Sequence, residues 1–333
     1  MDKTVTTNPA FSVQNFSVRY PSQRGWVQAV RDVNLSVQPG RLVGLAGESG
    51  SGKSTLVLAA TRVLRPPQVE VDGQSYISGR PILELHEKEL RSMRWSTFSF
   101  VTQSAMNALN PVMRLRDQMR DAIRAHDRSY HPRTADLRAR EVMDMVELPA
   151  SKLLSYPHQL SGGQRQRAVI ALALLLKPEL IVMDEPTTAL DVVVQREIID
   201  LIRRLQAEQG FAVVLITHDL SLLLEVAHDV VVLYGGKVME AGPAEQLVSH
   251  PLHPYSQALT QSFPPLHGEV VEQVGIPGSP PDMVRPPEGC PFAPRCKHVM
   301  EICRTTMPPL RLVGEVQVAC HLMNDGMEEV TTR

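Results

Sequence analysis

The chain has 333 residues, 43% hydrophobic and 21% charged, the balance of an ordinary folded protein long enough for one large domain plus a smaller unit. A formal charge of −2 gives no general attraction to nucleic acid, so any basic surface has to be local. The opening MDKTVTTNPA lacks the apolar core of a secretion signal, and the run AVIALALLL stops at Lys177, well short of a membrane span, so the reading is a cytosolic chain that does not itself cross a membrane.

In chain order the first strong signal is LVGLAGESGSGKSTLVLAATRVL, a short apolar strand, a Gly-x-x-x-x-Gly-Lys-Ser loop at 47–54 and an apolar helix. That context is the one in which backbone N–H groups of such a loop wrap the phosphates of a nucleotide. Gly47, Ser49, Gly50, Ser51, Gly52, Lys53, Ser54 and Thr55 are therefore candidate nucleotide ligands. Lys53 would reach the β and γ phosphates, Ser54 would place its hydroxyl on Mg²⁺, and the N–H groups of roughly 50–55 would hold the β-phosphate. Gln103 follows the apolar FSFV; a neutral side chain there can contact a γ-phosphate or an attacking water without titrating.

Between about 105 and 176 the period becomes helical. Val112, Leu115, Met119 and Ile123 predict one helix, Leu137, Val142 and Val146 a second, and LSGGQRQRAVIALALLL a third, together a helical insertion within an α/β domain. Ser161 can cap that third helix, Gly162 and Gly163 let backbone approach a guest, and the helix dipole favours an anion, so a second anion site stands beside the first. LIVMDE at 180–185 delivers Asp184 and Glu185 to a strand end. Asp184 can hold Mg²⁺ through its water shell, and Glu185 can polarise a water for in-line attack. His218 ends the apolar AVVLITH, and VVVLY follows at 230; such near-continuous apolar runs suit a parallel sheet covered on both faces.

From about 251 proline takes over, in HPLHPYSQAL, FPPLHG, IPGSPPDMVRPPEGCPFAPRC and MPPL, which predicts an irregular extension without long helices. It carries all four cysteines, as Cys290-x5-Cys296-x6-Cys303-x16-Cys320. Clustered thiols in a cytosolic chain point to a metal rather than to disulfides. No Cys-x2-Cys knuckle of the zinc-ribbon kind occurs; an iron-sulfur cluster, zinc and free thiols all remain open on spacing alone.

GESGSGKS, Gln103, LSGGQ, LIVMDE, ALD at 189–191 and His218, in that order, resemble the ATP-binding cassette of ABC transporters over roughly residues 11–250. The resemblance implies an α/β fold class, a P-loop NTPase ABC cassette at 1–250 with a helical subdomain at about 105–176, followed by a Cys/Pro-rich C-terminal extension at 251–333. It implies that ATP and Mg²⁺ sit between two cassettes facing head to tail, so that the anion at Ser161, Gly162, Gly163 and Gln164 is the γ-phosphate held by a partner's loop. It also implies roles: Ser54, Gln103 and Asp184 toward Mg²⁺, Glu185 as catalytic glutamate, His218 as switch histidine, Asp191 in the dimer-contacting loop, and Gln103 facing a membrane subunit. Tyr20 stands where such cassettes place the adenine-stacking ring, with Trp26 as its competitor. No catalytic position is degenerate, which implies hydrolysis and not binding alone.

AMNALNP, DEPTTALDVVVQ, HPYSQAL and GCPFAPRC narrow the resemblance to the ATP-binding subunits of oligopeptide and dipeptide permeases, a group that also serves nickel and some oligosaccharide importers. Thr102, Ser104 and Ala105 depart from that group's usual surroundings of the glutamine. The implied protein is a peripheral ATPase on the cytoplasmic face of the membrane. Its implied partners are a second identical or homologous ATPase subunit, two transmembrane permease subunits and, through the complex, an extracellular solute-binding protein, with no nucleic acid. A 4Fe-4S cluster on Cys290, Cys296, Cys303 and Cys320 is implied as well, zinc being the alternative. The rival class is a soluble ABC ATPase acting on nucleic acid or the ribosome, many of which carry two cassettes or a coiled-coil insertion; neither is seen in this sequence.

Overall fold

The computed structural model describes residues 8–102, 108–127, 129–188, 190–262 and 275–323. Strands β1 (Phe11–Ser22), β2 (Gly25–Val37) and β3 (Leu42–Ala46) precede helix α1 (Lys53–Ala60). Then come β4 (Glu70–Ile77), β5 (Arg80–Pro81), α2 (Glu87–Met93) and β6 (Phe98–Val101). Helices α3 (Leu115–His126), α4 (Pro132–Met145) and α5 (Gly162–Leu174) follow, with β7 (Leu180–Asp184), α6 (Val192–Gln209) and β8 (Ala212–Ile216) after them. The remainder is α7 (Leu220–Val226), β9 (Asp229–Tyr234), β10 (Lys237–Pro243), α8 (Ala244–Ser249), α9 (Pro254–Gln261), α10 (Glu301–Thr305), β11 (Arg311–Val313) and β12 (Val316–Val318). Among the described residues no helix is long and apolar enough to cross a membrane.

The chain divides into two compact units, one of residues 1–12, 36–42 and 76–216, the other of residues 13–35, 43–75 and 217–333. In the first, β8, β7 and β6 lie side by side and parallel, with Leu180 opposite both Phe98 and Ala212 and Asp184 opposite Ile216. Every residue of β7 and β8 is buried, which is why both read as unbroken apolar runs and not as alternating ones. Helices α3 and α4 pack on each other, burying Leu115, Met119 and Ile123 against a face that includes Ala135, Ala139, Val142 and Met143. Arg120 grips Asp136 across them at 2.7 and 2.6 Å and holds that carboxyl below the usual carboxylate range. Two residues of the expected stripes fall outside the core. Val112 is 79% exposed in a turn before α3, where its N–H donates to Asn110 Oδ1, and Leu137 is 68% exposed on α4.

In the second unit β3 and β9 are parallel, β9 and β10 antiparallel, and β12 joins β10 with Glu240 opposite Val318. The hairpin of β11 and β12 thus continues a sheet that begins near the glycine-rich loop. The expectation of an irregular tail gives way here to α9, α10 and this hairpin. Pro254 is no obstacle to α9, since it occupies the first helical turn, where a missing N–H costs nothing. Tyr234, Tyr255 and Phe292 form a buried aromatic cluster with ring centroids 4.5, 5.4 and 5.2 Å apart.

Candidate nucleotide and thiol sites

The phosphate-binding loop belongs to the second unit. β3 ends at Ala46 and α1 starts at Lys53, and the loop between them turns through Gly47 at φ 139° and Gly52 at φ 102°. A Cβ at Gly47 would stand 2.2 Å from the Leu233 carbonyl oxygen, and one at Gly52 2.3 Å from that of Ala29, so neighbouring backbone admits only glycine at both. Lys53 folds back over the loop: its Nζ donates to the carbonyls of Gly47 at 2.8 Å and Glu48 at 2.9 Å and to Ser51 Oγ at 3.2 Å. Among its partners this buried ammonium counts three neutral oxygens, which a bound nucleotide could replace with anionic ones. Ser49 and Gly50 are exposed at the loop's tip, and Ser54 and Thr55 follow in the first turn of α1. Tyr20 and Thr55 share a hydrogen bond between their hydroxyls at 3.0 Å, which sets Tyr20 against α1, whereas Trp26 is 40% exposed with the Arg19 guanidinium 5.0 Å above its ring. His218 is exposed one residue before Asp219, which caps α7 by accepting from Leu222 N–H at 3.0 Å.

The first unit supplies the carboxylates. Buried Asp184 ends β7. Glu185 then leaves the strand at φ 49°, a left-handed conformation costing a side-chain-bearing residue on the order of 1–3 kcal/mol, held here by its N–H donating to the Ile216 carbonyl at 2.8 Å. Its carboxylate accepts from the Thr188 hydroxyl at 3.0 Å, so Thr188 is an orienting group that the sequence reading did not single out. Ser161 caps α5, accepting from Gln164 N–H at 3.3 Å while the Gln164 side chain returns to the Ser161 N–H at 3.2 Å, the reciprocal box expected of a strong helix start. A Cβ at Gly163 would meet Val194 Cγ1 at 2.8 Å, so glycine lets the start of α5 sit close against α6, itself capped by Asp191 through Val194 N–H at 3.0 Å. Gln103 and Ala189 lie outside the described residues.

Cys290, Cys296, Cys303 and Cys320, all free, line one small cavity together with His253 and His298. The Cys290 N–H donates to the Cys303 carbonyl at 2.8 Å. Burial, augmented by the three neighbouring sulfurs, pushes the Cys290 thiol up to about 11; burial also raises Cys296 and Cys320. Among the described residues, however, no group of three or more His, Cys, Asp or Glu side chains is arranged to hold a metal ion.

Two residues not singled out in the sequence, Arg295 and Tyr255, hold the loop from outside through Glu48. Arg295 pairs with the Glu48 carboxylate at 2.6 and 2.9 Å, it donates to Tyr234 Oη at 2.8 Å, and Tyr255 Oη accepts from the Glu48 N–H at 2.8 Å. Glu48 occupies a variable position of the loop motif, while Tyr255 and Arg295 fall within HPYSQAL and GCPFAPRC; only the latter two had a signal.

Residues 30–188 match the family model for ABC transporter, and residues 239–303 match that for the oligopeptide/dipeptide transporter, C-terminal region. The chain is 38% identical to the dipeptide transport ATP-binding protein DppD of Caldanaerobacter subterraneus, over 94% of this chain and 97% of that one. It is 40% identical to the oligopeptide transport ATP-binding proteins OppD of Haemophilus influenzae, over 89% and 92%, and of Escherichia coli, over 90% and 88%. Among solved structures, a dimeric ATP-binding cassette in a post-hydrolysis state bound to ADP and Pi superposes with a TM-score of 0.62 at 30% identity, covering 70% of this chain and 98% of the other.

Proposed function

The chain belongs to the family of ABC transporter ATP-binding proteins, and on that premise we propose that it is the ATP-hydrolysing subunit of a binding-protein-dependent importer of oligopeptides or dipeptides. The observation that carries the ATPase reading is the phosphate cradle, Lys53 lying over the loop carbonyls at the head of α1. The peptide reading is supported by the relatives' names and by the match through residues 239–303.

In this reading Lys53 trades the carbonyls of Gly47 and Glu48 for the β and γ phosphates of ATP, while the loop N–H groups take the β-phosphate. Tyr20 stacks on adenine. Ser54, Asp184 and Gln103 are the residues that would hold Mg²⁺, which supplies charge neutralisation between the phosphates. Glu185, oriented by Thr188, polarises the attacking water, and His218 stands by the γ-phosphate. Ser161, Gly162, Gly163 and Gln164 serve the nucleotide of a second ATPase subunit, and Asp191 lines the contact between the two. ATP favours the paired state and hydrolysis releases it, and two transmembrane permease subunits, fed by an extracellular solute-binding protein, follow that shift at the cytoplasmic face of the membrane.

Glu185→Gln is expected to retain ATP binding and to lose turnover by a factor of about 100 or more. Purified from solubilised membranes in ATP, that variant should carry two multi-span proteins visible by mass spectrometry. Ribosomal proteins or nucleic acid in their place, or normal hydrolysis by the variant, would overturn the reading.

Cys290, Cys296, Cys303 and Cys320 are further proposed as ligands of a structural 4Fe-4S cluster. The observation that supports it is that all four cysteines line one cavity, and four thiolates are the donor set such a cluster would take. Anaerobically purified protein should contain iron and acid-labile sulfide, both lost in Cys303→Ser; zinc without sulfide, or no metal at all, would reject the cluster.

A further inference from the structure

We propose that Arg295, carried by the cysteine-bearing tail, is a positioning residue for ATP: it neutralises Glu48 and fixes the phosphate-binding loop in its receptive shape. The proposal rests on the reading of 47–54 as the ATP site and adds a residue distant in sequence to its machinery. Glu48 stands between Gly47 and Ser49, at a position where the loop motif requires no particular side chain, yet all three of its polar parts are engaged. Its N–H donates to Tyr255 Oη at 2.8 Å, its carbonyl accepts from Lys53 Nζ at 2.9 Å, and its carboxylate takes a two-pronged pair from Arg295 at 2.6 and 2.9 Å. Whatever displaces Glu48 therefore displaces one of the tethers of Lys53.

Arg295 is in turn tightly held. Its Nε donates to the Pro277 carbonyl at 2.7 Å, Nη2 to that of Ile276 at 2.9 Å, and Nη1 to Tyr234 Oη at 2.8 Å, while the guanidinium lies 5.6 Å from the Tyr234 ring centre and 5.9 Å from that of Phe292. Its side chain is 4% exposed and that of Glu48 24%. A guanidinium fastened at this many points is a rigid mount, and a surface ion pair is not. Charge supplies the functional argument. A polyphosphate arriving at this loop would meet a carboxylate within it; Arg295 cancels that charge and, by binding both oxygens, keeps it turned toward the tail.

The test uses the full-length protein and measures the dissociation constant of ATP, kcat and KM, and thermal melting for five proteins: wild type, Arg295→Met, Arg295→Lys, Glu48→Gln and the double variant Glu48→Gln with Arg295→Met. Arg295→Met leaves Glu48 charged and unmatched within the loop, and ATP affinity is expected to fall about 10-fold to 100-fold because a half-buried carboxylate then faces the polyphosphate, with KM rising more than kcat falls. Glu48→Gln alone, which keeps a carbonyl oxygen for Arg295, should weaken ATP binding less than Arg295→Met does, and the double variant should bind ATP at least about fivefold more tightly than Arg295→Met, because the offending charge is gone. Arg295→Lys should lie between wild type and Arg295→Met, and it serves in place of the latter if Arg295→Met does not fold. A wild-type ATP affinity unchanged in Arg295→Met or Arg295→Lys, or a double variant no better than Arg295→Met, would overturn the proposal, leaving Arg295 a structural residue that moves only melting. Failure of wild-type protein to bind ATP would instead overturn the ATP-site reading, and this proposal with it.

Discussion

Gly50 and Gly52 differ by two positions and look alike in the motif, but their surroundings separate them. Both have positive φ, 78° and 102°; a Cβ at Gly50 would meet nothing within 4 Å, whereas one at Gly52 would press to 2.3 Å on the Ala29 carbonyl oxygen. Gly50→Ala should therefore cost only the left-handed conformation, about 1–2 kcal/mol, while Gly52→Ala must also move backbone and should cost about 3 kcal/mol or more. Thermal melting of both variants checks this, and equal losses would refute the steric account. The glycine spacing itself was legible because the motif records which backbone positions must stay open. The reason each is open was not, since Ala29 and Leu233 are brought to the loop only by folding. Glu185 is a similar case: its carboxylate could be picked from LIVMDE, but its φ of 49° and its hydrogen bond from Thr188 belong to the turn after β7 and have no periodic signature.

At the level of elements, legibility followed the length and burial of each segment. β3, β7 and β8 lie within the apolar runs that announced them and β9 starts one residue before its own, at Asp229, and their parallel pairing follows from burial on both faces. Helices α3, α4 and α5 were visible in the 3.6-residue period, yet the period overreached at Val112 and Leu137, which share the spacing but not the burial. β11 and β12 are three residues each, and β11 is exposed throughout; no alternation can be detected in so short a stretch, particularly one flanked by MPPL. What makes them strands is the free edge of β10, where Glu240 and Ala241 offer pairing partners to Val318 and Gln317. Among the described residues of the tail the helices are short, eight residues in α9 and five in α10, but proline content said nothing of this pairing, because edge pairing is a property of the acceptor strand.

For the molecule as a whole, the composition break at 251 invites the idea that a cassette ends there and a dispensable tail begins. The cohesion of the second unit argues otherwise. Glu240 on β10 is fully buried, with its carboxyl pushed above the usual range by burial, and its two oxygens accept from the N–H groups of Leu252 and His253 at 2.8 Å each. Tyr234 at the end of β9 is covered by Tyr255 and Phe292, and Glu48 is fixed by Tyr255 and Arg295. A chain cut after His250 would expose Tyr234, open the edge of β10 and leave Glu240 without its donors, losses of several kcal/mol by aromatic burial and unmatched polar groups together. The expected outcome is a truncated protein that aggregates or melts far below full length and does not bind ATP, measured by gel filtration, thermal melting and nucleotide titration of both chains. A soluble truncated chain with full-length ATP affinity would mean that the tail only rests on the cassette. The motifs HPYSQAL and GCPFAPRC would then have to be explained by a partner, because nothing within the chain would require them.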